Sequence, residues 1–415
     1  MLKNVQFQTL PSFLDLMISN SRGFGGKVLS NNQRGCLAVE TSMLNRFSGS
    51  RGKSQRHGNT MTMIREATED DNDALNELQK KCPMGTSLVL GIDSSPDYFA
   101  RSRPFKDWHV FVAVENNTII GSAAFAAMDT YIEGRKIKTA YEYGFVVDPL
   151  HRRKGIAEKL QRHIEQIALE NDVDLLHLDI IEDNIPSISL FSKMGFEKVK
   201  DCVTISLMPY KKQRITAEGN MRNMEEADVD DVTDLINEMY RGYDFFAPFQ
   251  PKDFVEYLGR IPHFDFHNIL VFEDNGKLEA CLGIWEYDKV RKYIVEKLNW
   301  RLNAQTHLIR LIGLFARMPY IPKPGEPLLS YNLATIAYKK PESMRELLKK
   351  TVNIALENKI NFIHVTIDPS CPMATVISQF RFQTRMKLHV LTKPLEQERF
   401  PHPEERKIYC DVAEM

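Results

Sequence analysis

The chain has 415 residues, of which 43% are hydrophobic and 26% charged, with a formal net charge of -1. This length can bury more than one core, so we expect two domains. A net charge near zero argues against nucleic acid as the main partner, and no run of about 18 apolar residues is present to span a bilayer.

Residues 1–60 are basic, rich in Ser, Gly and Asn, and poor in acids. Such a composition predicts disorder, and it fits either an organellar transit peptide or an extension upstream of a true start at Met61 or Met63. The six cysteines are scattered without a C-x-x-C pair, which indicates reduced thiols and a cytoplasmic protein unless the leader directs import.

The first elements are predicted from local signals. A strand is expected at 63–66, followed by a helix that Thr68 caps and that carries Leu75 and Leu78 on its apolar face. A short helix is expected near 97–103. Two β-rich runs, 110–114 and 118–125, flank Asn116 and Asn117, which is typical of a hairpin.

The stretch 141–157, Y-E-Y-G-F-V-V-D-P-L-H-R-R-K-G-I-A, organises the rest of the chain. Residues 141–147 are aromatic and β-branched, as in a buried strand, and Pro149 ends the run. The basic loop 152–157 then leads into a helix with apolar residues at helical spacing. Unpaired N–H groups at a helix start attract anions, and Gly155 allows close approach, so we expect a phosphate site unless this is an ordinary solvated corner.

A second pattern follows downstream. Residues 174–181 read as a strand, and 184–196 read N-I-P-S-I-S-L-F-S-K-M-G-F. Together with V-x-P-x-x-R-R-x-G-I-A at 147–157, this order resembles the GNAT acetyltransferase superfamily, with its Q/R-x-x-G-x-G/A loop and N-x-x-A-x-x-L-Y-x-K-x-G-F segment. The resemblance implies an α/β fold with a mixed sheet, and acetyl-CoA as co-substrate.

The resemblance also implies site residues. The backbone N–H of Phe145 would polarise the thioester carbonyl, Val147 would bond pantetheine, and the N–H groups of 153–157 would hold pyrophosphate. Phe191 stands where many members have a tyrosine that protonates the CoA thiolate. The expected cofactor-binding residues are Phe145, Val146, Val147, Arg152, Arg153, Lys154, Gly155, Ile156, Ala157, Asn184 and Phe191.

The general base is left open by the sequence. Tyr141 and Tyr143 lie an even number of residues before Val147, so on a regular strand their side chains have the alternation that points into the cleft. Both are equally well explained as packed aromatics. Glu142 is chemically the best base but has the opposite parity, which a β-bulge could reverse. The candidate catalytic residues are therefore Tyr141, Glu142 and Tyr143.

A similar pattern of elements begins again after a polar linker at 211–220. We therefore predict a catalytic GNAT domain at 61–210 and a degenerate GNAT-like domain at 221–415, with a hairpin across Asn275 and Gly276. A constant offset of 186 would place Tyr338 on Arg152 and Pro341 on Gly155, which removes the phosphate loop.

The second copy carries an insertion near 287–326 that is rich in aromatic, Leu and Ile residues, among them Trp300, Leu302, Leu308, Leu311, Ile312 and Phe315. Core and interface packing is the first interpretation of these residues. A lid or acceptor pocket over the first domain is the second.

The leading functional hypothesis is an acetyl-CoA-dependent N-acetyltransferase with an unidentified amine acceptor, either a small molecule or a protein. The alternative is a non-catalytic acyl-CoA-binding regulatory or scaffold protein, which Phe191 favours. The architecture loosely resembles the hookless-type acetyltransferases of plants. His263, Asp265 and His267 alternate as metal ligands would on a strand, but a polar loop explains them better, so no metal is expected.

Overall fold

The computed structural model describes residues 61–395 and 406–410; the leader at 1–60 lies outside the described residues. The first half contains seven strands and three α-helices in the order β1 Met63–Glu66, α1 Asn72–Lys80, β2 Leu88–Asp93, β3 Asp107–Glu115, β4 Thr118–Ile132, β5 Arg135–Val147, α2 Ile156–Glu170, β6 Leu175–Ile181, α3 Ile185–Lys193 and β7 Glu197–Leu207.

The second half repeats much of this order after residue 219. Its elements are β8 Asn220–Asn223, α4 Val229–Met239, α5 Pro251–Arg260, β9 Ile269–Asp274, β10 Lys277–Trp285, β11 Lys292–Leu298, α6 Trp300–Gly313, β12 Pro327–Leu328, β13 Ser330–Tyr338, α7 Pro341–Glu357, β14 Phe362–Ile367, α8 Met373–Ile377 and β15 Gln383–Pro394.

The predicted hairpins are confirmed. Asn116 and Asn117 join β3 to β4 with φ of 51° and 59°, and Asn275 and Gly276 join β9 to β10 with φ of 51° and 71°. Left-handed backbone at both central positions is the geometry of the two-residue turn that best matches strand twist. Asn and Gly tolerate it at little cost, which is why these dipeptides end the strands here.

A single twelve-stranded sheet runs through both halves, in the order β1-β3-β4-β5-β6-β15-β7-β14-β13-β10-β9-β8. From each edge toward the centre, the strands follow in an equivalent order: β1-β3-β4-β5-β6-β15 from one edge and β8-β9-β10-β13-β14-β7 from the other. β15 lies antiparallel between β6 and β7, while β7 also pairs with β14, so each half is completed by the last strand of the other. The expected mixed α/β sheet is confirmed, and its strand order occurs twice.

Helices cover both faces of the first half. On one face, Leu160 and Ile164 of α2 are completely buried against Phe111 and Phe125 of the sheet. On the other face, Leu75 of α1 and the turn Tyr98–Arg101 pack on Val112 and the two strand tyrosines Tyr141 and Tyr143. The side chains of β5 therefore alternate between two separate cores, which decides where each candidate site residue points.

The insertion reaches the first half through backbone pairing. β11 pairs antiparallel with β2, from Lys292 opposite Asp93 to Leu298 opposite Leu88, and β12 completes a three-stranded sheet. The contact with the first half that the lid interpretation requires is therefore present. It brings Tyr287, Arg291 and Tyr293 beside the turn that carries Arg101.

The core-packing interpretation is wrong for most of α6. Leu302 and Ile309 are buried, but Trp300 is 75% exposed, Leu311 56% and Phe315, just beyond the helix, 88%. Only one narrow side of this helix faces protein, because the buried positions recur three to four residues apart while apolar residues continue around the helix. Helical spacing in the sequence did not distinguish the two sides.

Candidate active site

The strands β5 and β6 separate in the middle of the sheet. They pair in parallel only from Thr139 opposite Leu175 to Tyr141 opposite His177. Beyond this point β5 pairs with β4 and β6 pairs with β15, and no other strand of the described residues fills the gap. Backbone groups along such an open edge remain available to a ligand.

A β-bulge sits where the gap opens. The partners of Ser122 and Ala124 are Val146 and Tyr143, so Ala123 faces both Gly144 and Phe145. Gly144 has φ of 68°, in the left-handed region that glycine accepts without strain. The bulge turns the backbone at Phe145 relative to Tyr143, and it leaves Val146 and Val147 paired with β4.

The basic loop between β5 and α2 has the geometry of an anion cradle. Arg153 and Gly155 have φ of 61° and 78°, and Gly155 immediately precedes α2. A Cβ atom at Gly155 would meet nothing within 4 Å, so the space in front of the loop is open. Alternating left-handed residues turn successive N–H groups toward one point, which favours an anion.

The three cations of this loop differ in their contacts. The Arg152 Nε atom donates to the Val147 carbonyl at 3.2 Å, which ties the loop to the end of β5. Arg153 and Lys154 are exposed and form no ion pair with the described residues. Both side chains are thus free to approach a phosphate. Ile156 and the partly buried Ala157 follow in the first turn of α2, with Ile156 in the core.

The downstream motif lines the other side of the gap. Asn184 caps α3, since its side-chain oxygen accepts from the Ser187 N–H at 3.4 Å. Phe191 is buried edge-on against the Phe145 ring, with centroids 5.0 Å apart, and also contacts Phe196. Phe191 therefore fixes the position of Phe145 by packing, and its ring offers no proton.

The second half has the gap without the loop. β13 and β14 pair only from Ser330 opposite Phe362 to Asn332 opposite His364, and a bulge follows at Thr335, whose φ is 51°. Residues 148–155 separate β5 from α2, whereas only 339 and 340 separate β13 from α7. The constant offset of 186 is therefore wrong here: Tyr338 ends its strand as Val147 does, and the loop is deleted rather than substituted.

Comparison with known proteins agrees with this geometry. Residues 72–196 match the Acetyltransferase (GNAT) family. The similarity to this family therefore lies in the first half of the chain. A probable N-acetyltransferase of Arabidopsis thaliana, HLS1, is 27% identical over 163 residues, which cover 34% of this chain and 40% of that protein. An acetyltransferase of Pectobacterium atrosepticum is 29% identical over 143 residues, covering 34% of this chain and 92% of that protein.

Among solved structures, the N-myristoyltransferase of Saccharomyces cerevisiae with bound myristoyl-CoA superposes with a TM-score of 0.59 at 10% identity. The superposition covers 82% of this chain and 84% of that one. At this identity the likeness concerns the fold alone. It extends over both halves of the sheet, whereas the two relatives found by sequence each match about a third of the chain.

The two tyrosines of β5, Tyr141 and Tyr143, lie on the α1 side of the sheet, opposite α2. The Tyr143 hydroxyl donates to the Ser102 Oγ atom at 2.8 Å, and burial raises the pKa of Tyr143 to about 12. Burial also raises the pKa of Tyr141, and the nearby Asp179 carboxylate adds to this rise. Both phenols are neutral at pH 7, so they can donate hydrogen bonds but are poor general bases.

Glu142 faces the opposite core, beneath α2. Its Oε1 atom accepts a hydrogen bond from the Gln161 Nε2 atom at 2.8 Å, and both residues are buried. Burial raises the pKa of Glu142 to about 8.

The bulge at Gly144 lies between Glu142 and Val147, so it reverses the alternation counted from Val147. Glu142 lies on the α2 side with Phe145 and Val147, while Tyr141 and Tyr143 lie on the opposite, α1 side. The prediction that the two tyrosines point the same way as Val147 is therefore wrong.

We expect Glu142 to make the protein less stable as the pH rises. The folded-state pKa of about 8 exceeds the ordinary value of 4.5, so the folded state holds a proton that the unfolded chain releases. This contribution is complete below about pH 4.5 and is lost as the pH rises to about 8, with a slope near 1.4 kcal/mol per pH unit. The difference between the slopes of the wild type and a Glu142 variant, from urea unfolding at pH 5 to 8, measures this contribution.

Glu142→Gln should flatten this pH dependence, because it keeps a neutral, hydrogen-bonding side chain of the same size beside Gln161. Glu158→Gln is the matched control on α2, since Glu158 is partly exposed and pairs with Arg162 at the surface. Equal slopes in the wild type and the Glu142 variant would show that Glu142 is not the buried titrating group.

Two titratable side chains beside the gap were missed in the sequence. Burial raises the pKa of Asp179 to about 7, although the Arg101 guanidinium partly lowers it. Burial lowers the pKa of His177 to about 3; its ring lies between those of Tyr141 and Phe245, and its Nε2 atom has no partner in the described structure. The signal was the alternation of His177 and Asp179 with leucines along β6.

The remaining expectations concern metals and membranes. His267 lies in a 3₁₀ turn, where its ring approaches Asp265 at 3.3 Å, as the loop interpretation implies. Within residues 61–395 and 406–410, no group of three or more His, Cys, Asp or Glu is arranged to hold a metal. None of the helices in these ranges is long and apolar enough to cross a bilayer.

Proposed function

We propose that this protein is an acetyl-CoA-dependent N-acetyltransferase whose first half binds the CoA co-substrate. The observation that carries this proposal is that the β5/β6 gap, the bulge at Phe145 and an open phosphate loop occur together in the first half only. The second half has its own gap but two residues in place of the loop.

In the proposed reaction the acceptor amine attacks the thioester carbonyl carbon. A C–N bond forms, the C–S bond breaks, and the electron pair leaves on sulfur. The Phe145 N–H stabilises the negative charge that develops on the carbonyl oxygen. Asp179 takes the proton that the amine loses, because its pKa of about 7 suits a base working near neutral pH.

No side chain is required as the final acid. Phe191 cannot donate a proton, and a thiol with a pKa of about 8.5 leaves as a thiolate that solvent can protonate. Tyr141 and Tyr143 remain as hydrogen-bond donors on the α1 side of β5. We propose that residues 61–210 supply the chemistry and residues 221–415 the acceptor side, with the insertion reaching across through β11.

The second candidate is a non-catalytic acyl-CoA-binding protein that regulates or scaffolds a partner. Phe191 favours it, because its ring fills the place of an acid with apolar packing. Release of the CoA thiol separates the two candidates. Binding of acetyl-CoA without thiol release for any amine in a broad panel would favour the binding protein over the enzyme.

We expect Gly155→Ala to weaken acetyl-CoA binding about 10- to 100-fold, the effect of losing one charge-assisted hydrogen bond. The added methyl group would occupy the open space before the loop, and it strains a residue whose φ is 78°. Isothermal titration calorimetry of the wild type and the variant measures the loss directly.

Gly276→Ala is the matched control, since Gly276 also has left-handed backbone, φ of 71°, and open space around its Cβ position. Both variants carry the same backbone strain, but Gly276 lies in the β9–β10 hairpin of the second half. If acetyl-CoA binds the two variants equally, the CoA site lies outside the loop and the proposed function fails.

A further inference from the structure

Arg101 lies on the α1 side of β5 among four tyrosines, Tyr141, Tyr143, Tyr287 and Tyr293, which we call the tyrosine cluster. It ends the 3₁₀ turn Tyr98–Arg101, which is anchored by the buried side chains of Tyr98 and Phe99. Its guanidinium carbon lies 4.7 Å from the centre of the Tyr143 ring. Its positive charge interacts electrostatically with the hydroxyl groups of Tyr287, Tyr141, Tyr143 and Tyr293.

The insertion adds a second guanidinium, that of Arg291, beside the tyrosine cluster. Pairing of β11 with β2 places Tyr293 opposite Ile92, and Arg291 then donates to the Ser94 Oγ atom at 3.4 Å. Arg291 also contacts the Tyr293 hydroxyl. The tyrosine cluster and its two arginines thus combine residues that are nearly 200 positions apart, and both halves of the chain contribute a cation.

Neither arginine is neutralised locally. Within the described residues, no carboxylate lies within 4.0 Å of Arg101 or Arg291, whereas nearby Arg103 pairs with Asp97 at 2.8 Å and Glu69 at 3.6 Å. Asp179 acts on Arg101 from a greater distance. Charge withdrawn from water without a counter-charge is costly, so two cations against one carboxylate favour a bound anion.

We infer that the acceptor amine also carries an anionic oxygen group, a carboxylate or a phosphate, which Arg101 binds while the amine lies beside Asp179. This inference rests on the proposed function. The planar guanidinium offers paired donors that match either group, and the surrounding tyrosines keep water away from the contact. Arg291, which contacts Tyr293 of the same cluster, adds attraction for the same charge.

The test measures amine binding to the wild-type protein saturated with CoA rather than acetyl-CoA, so that no turnover occurs. One calorimetric arm compares L-phenylalanine with phenethylamine, and the other compares O-phosphoethanolamine with ethanolamine. We expect the anionic member of one pair to bind about 10- to 100-fold more tightly, as for one charge-assisted contact. The arm that shows the preference identifies the group as carboxylate or phosphate.

Arg101→Gln should abolish that preference, while Arg103→Gln, which removes a surface ion pair two residues away, should leave it intact. Thermal unfolding of both variants checks that each remains folded. No preference in either arm, or a preference that survives Arg101→Gln, would overturn the inference. In that case, acetyl-CoA turnover is measured separately with amines that carry no carboxylate or phosphate. This turnover shows whether the proposed function itself stands.

Discussion

Asp179→Asn is expected to lower kcat about 10²- to 10⁴-fold, the usual contribution of a general base. Asparagine keeps the size and polarity of the side chain but cannot take the amine proton. Acetyl-CoA affinity should stay at the wild-type value, because Asp179 lies on β6 and not on the phosphate loop. Steady-state CoA release, measured with a thiol reagent, gives the rate.

The pH profile provides a second test of the same residue. Asp179 must be ionised to act, so kcat/KM for the acceptor should rise tenfold per pH unit below about pH 7 and level off above it. An acceptor whose own pKa lies below 6 keeps amine ionisation out of this range. The acidic limb should disappear in the Asp179→Asn variant.

Asp172→Asn is the control for this chemical change. Asp172 is exposed just after α2, and its left-handed backbone, φ of 53°, suits asparagine equally well. Its kcat and pH profile should match the wild type. If the acidic limb persists in the Asp179 variant, another group accepts the proton, and the mechanism proposed for Asp179 is wrong.

The loop that we propose binds CoA was predictable as a structural element because its parts are close along the chain. The strand, the bulge at Gly144, the loop and α2 follow one another within 141–170, so each is specified by neighbouring residues. The proposed acceptor side was not predictable. Arg101 and Arg291 are brought to the same region only because β2 pairs with β11, and no local pattern encodes this long-range pairing.

Alternation along β6 was more informative than residue type alone, whereas on β5 the bulge at Gly144 invalidated the count from Val147. Glu142 was attractive as a base by residue type, yet alternation on β5 directs it to Gln161 and the α2 core. Asp179 had both the right residue type and the right alternation with apolar neighbours. The strand itself was predicted, but the buried Leu175, Leu176 and Leu178 dominate its pattern and obscure the two polar side chains between and beyond them.

The strand exchange has a large expected consequence for the independence of the two halves. A fragment of residues 61–217 should fail to fold, because it lacks β15, which lies between β6 and β7 and buries Leu388, Val390 and Leu391. Two long strand edges and an open core would then face water. Circular dichroism and thermal unfolding of the purified fragment should show no cooperative transition.

Co-expression with a fragment of residues 218–415 should restore a folded heterodimer that binds acetyl-CoA. The cut lies between exposed Ala217 and Glu218 in the expected linker, so it leaves the paired strands intact. The cut also spares the bonds from Thr216 to Glu346. Folding of the two fragments together would show that the 61–217 fragment fails because it lacks the exchanged strand, and not because the chain is cut. Cooperative unfolding of the 61–217 fragment alone would instead mean that the halves are autonomous, and that the exchange of β7 and β15 contributes little to stability.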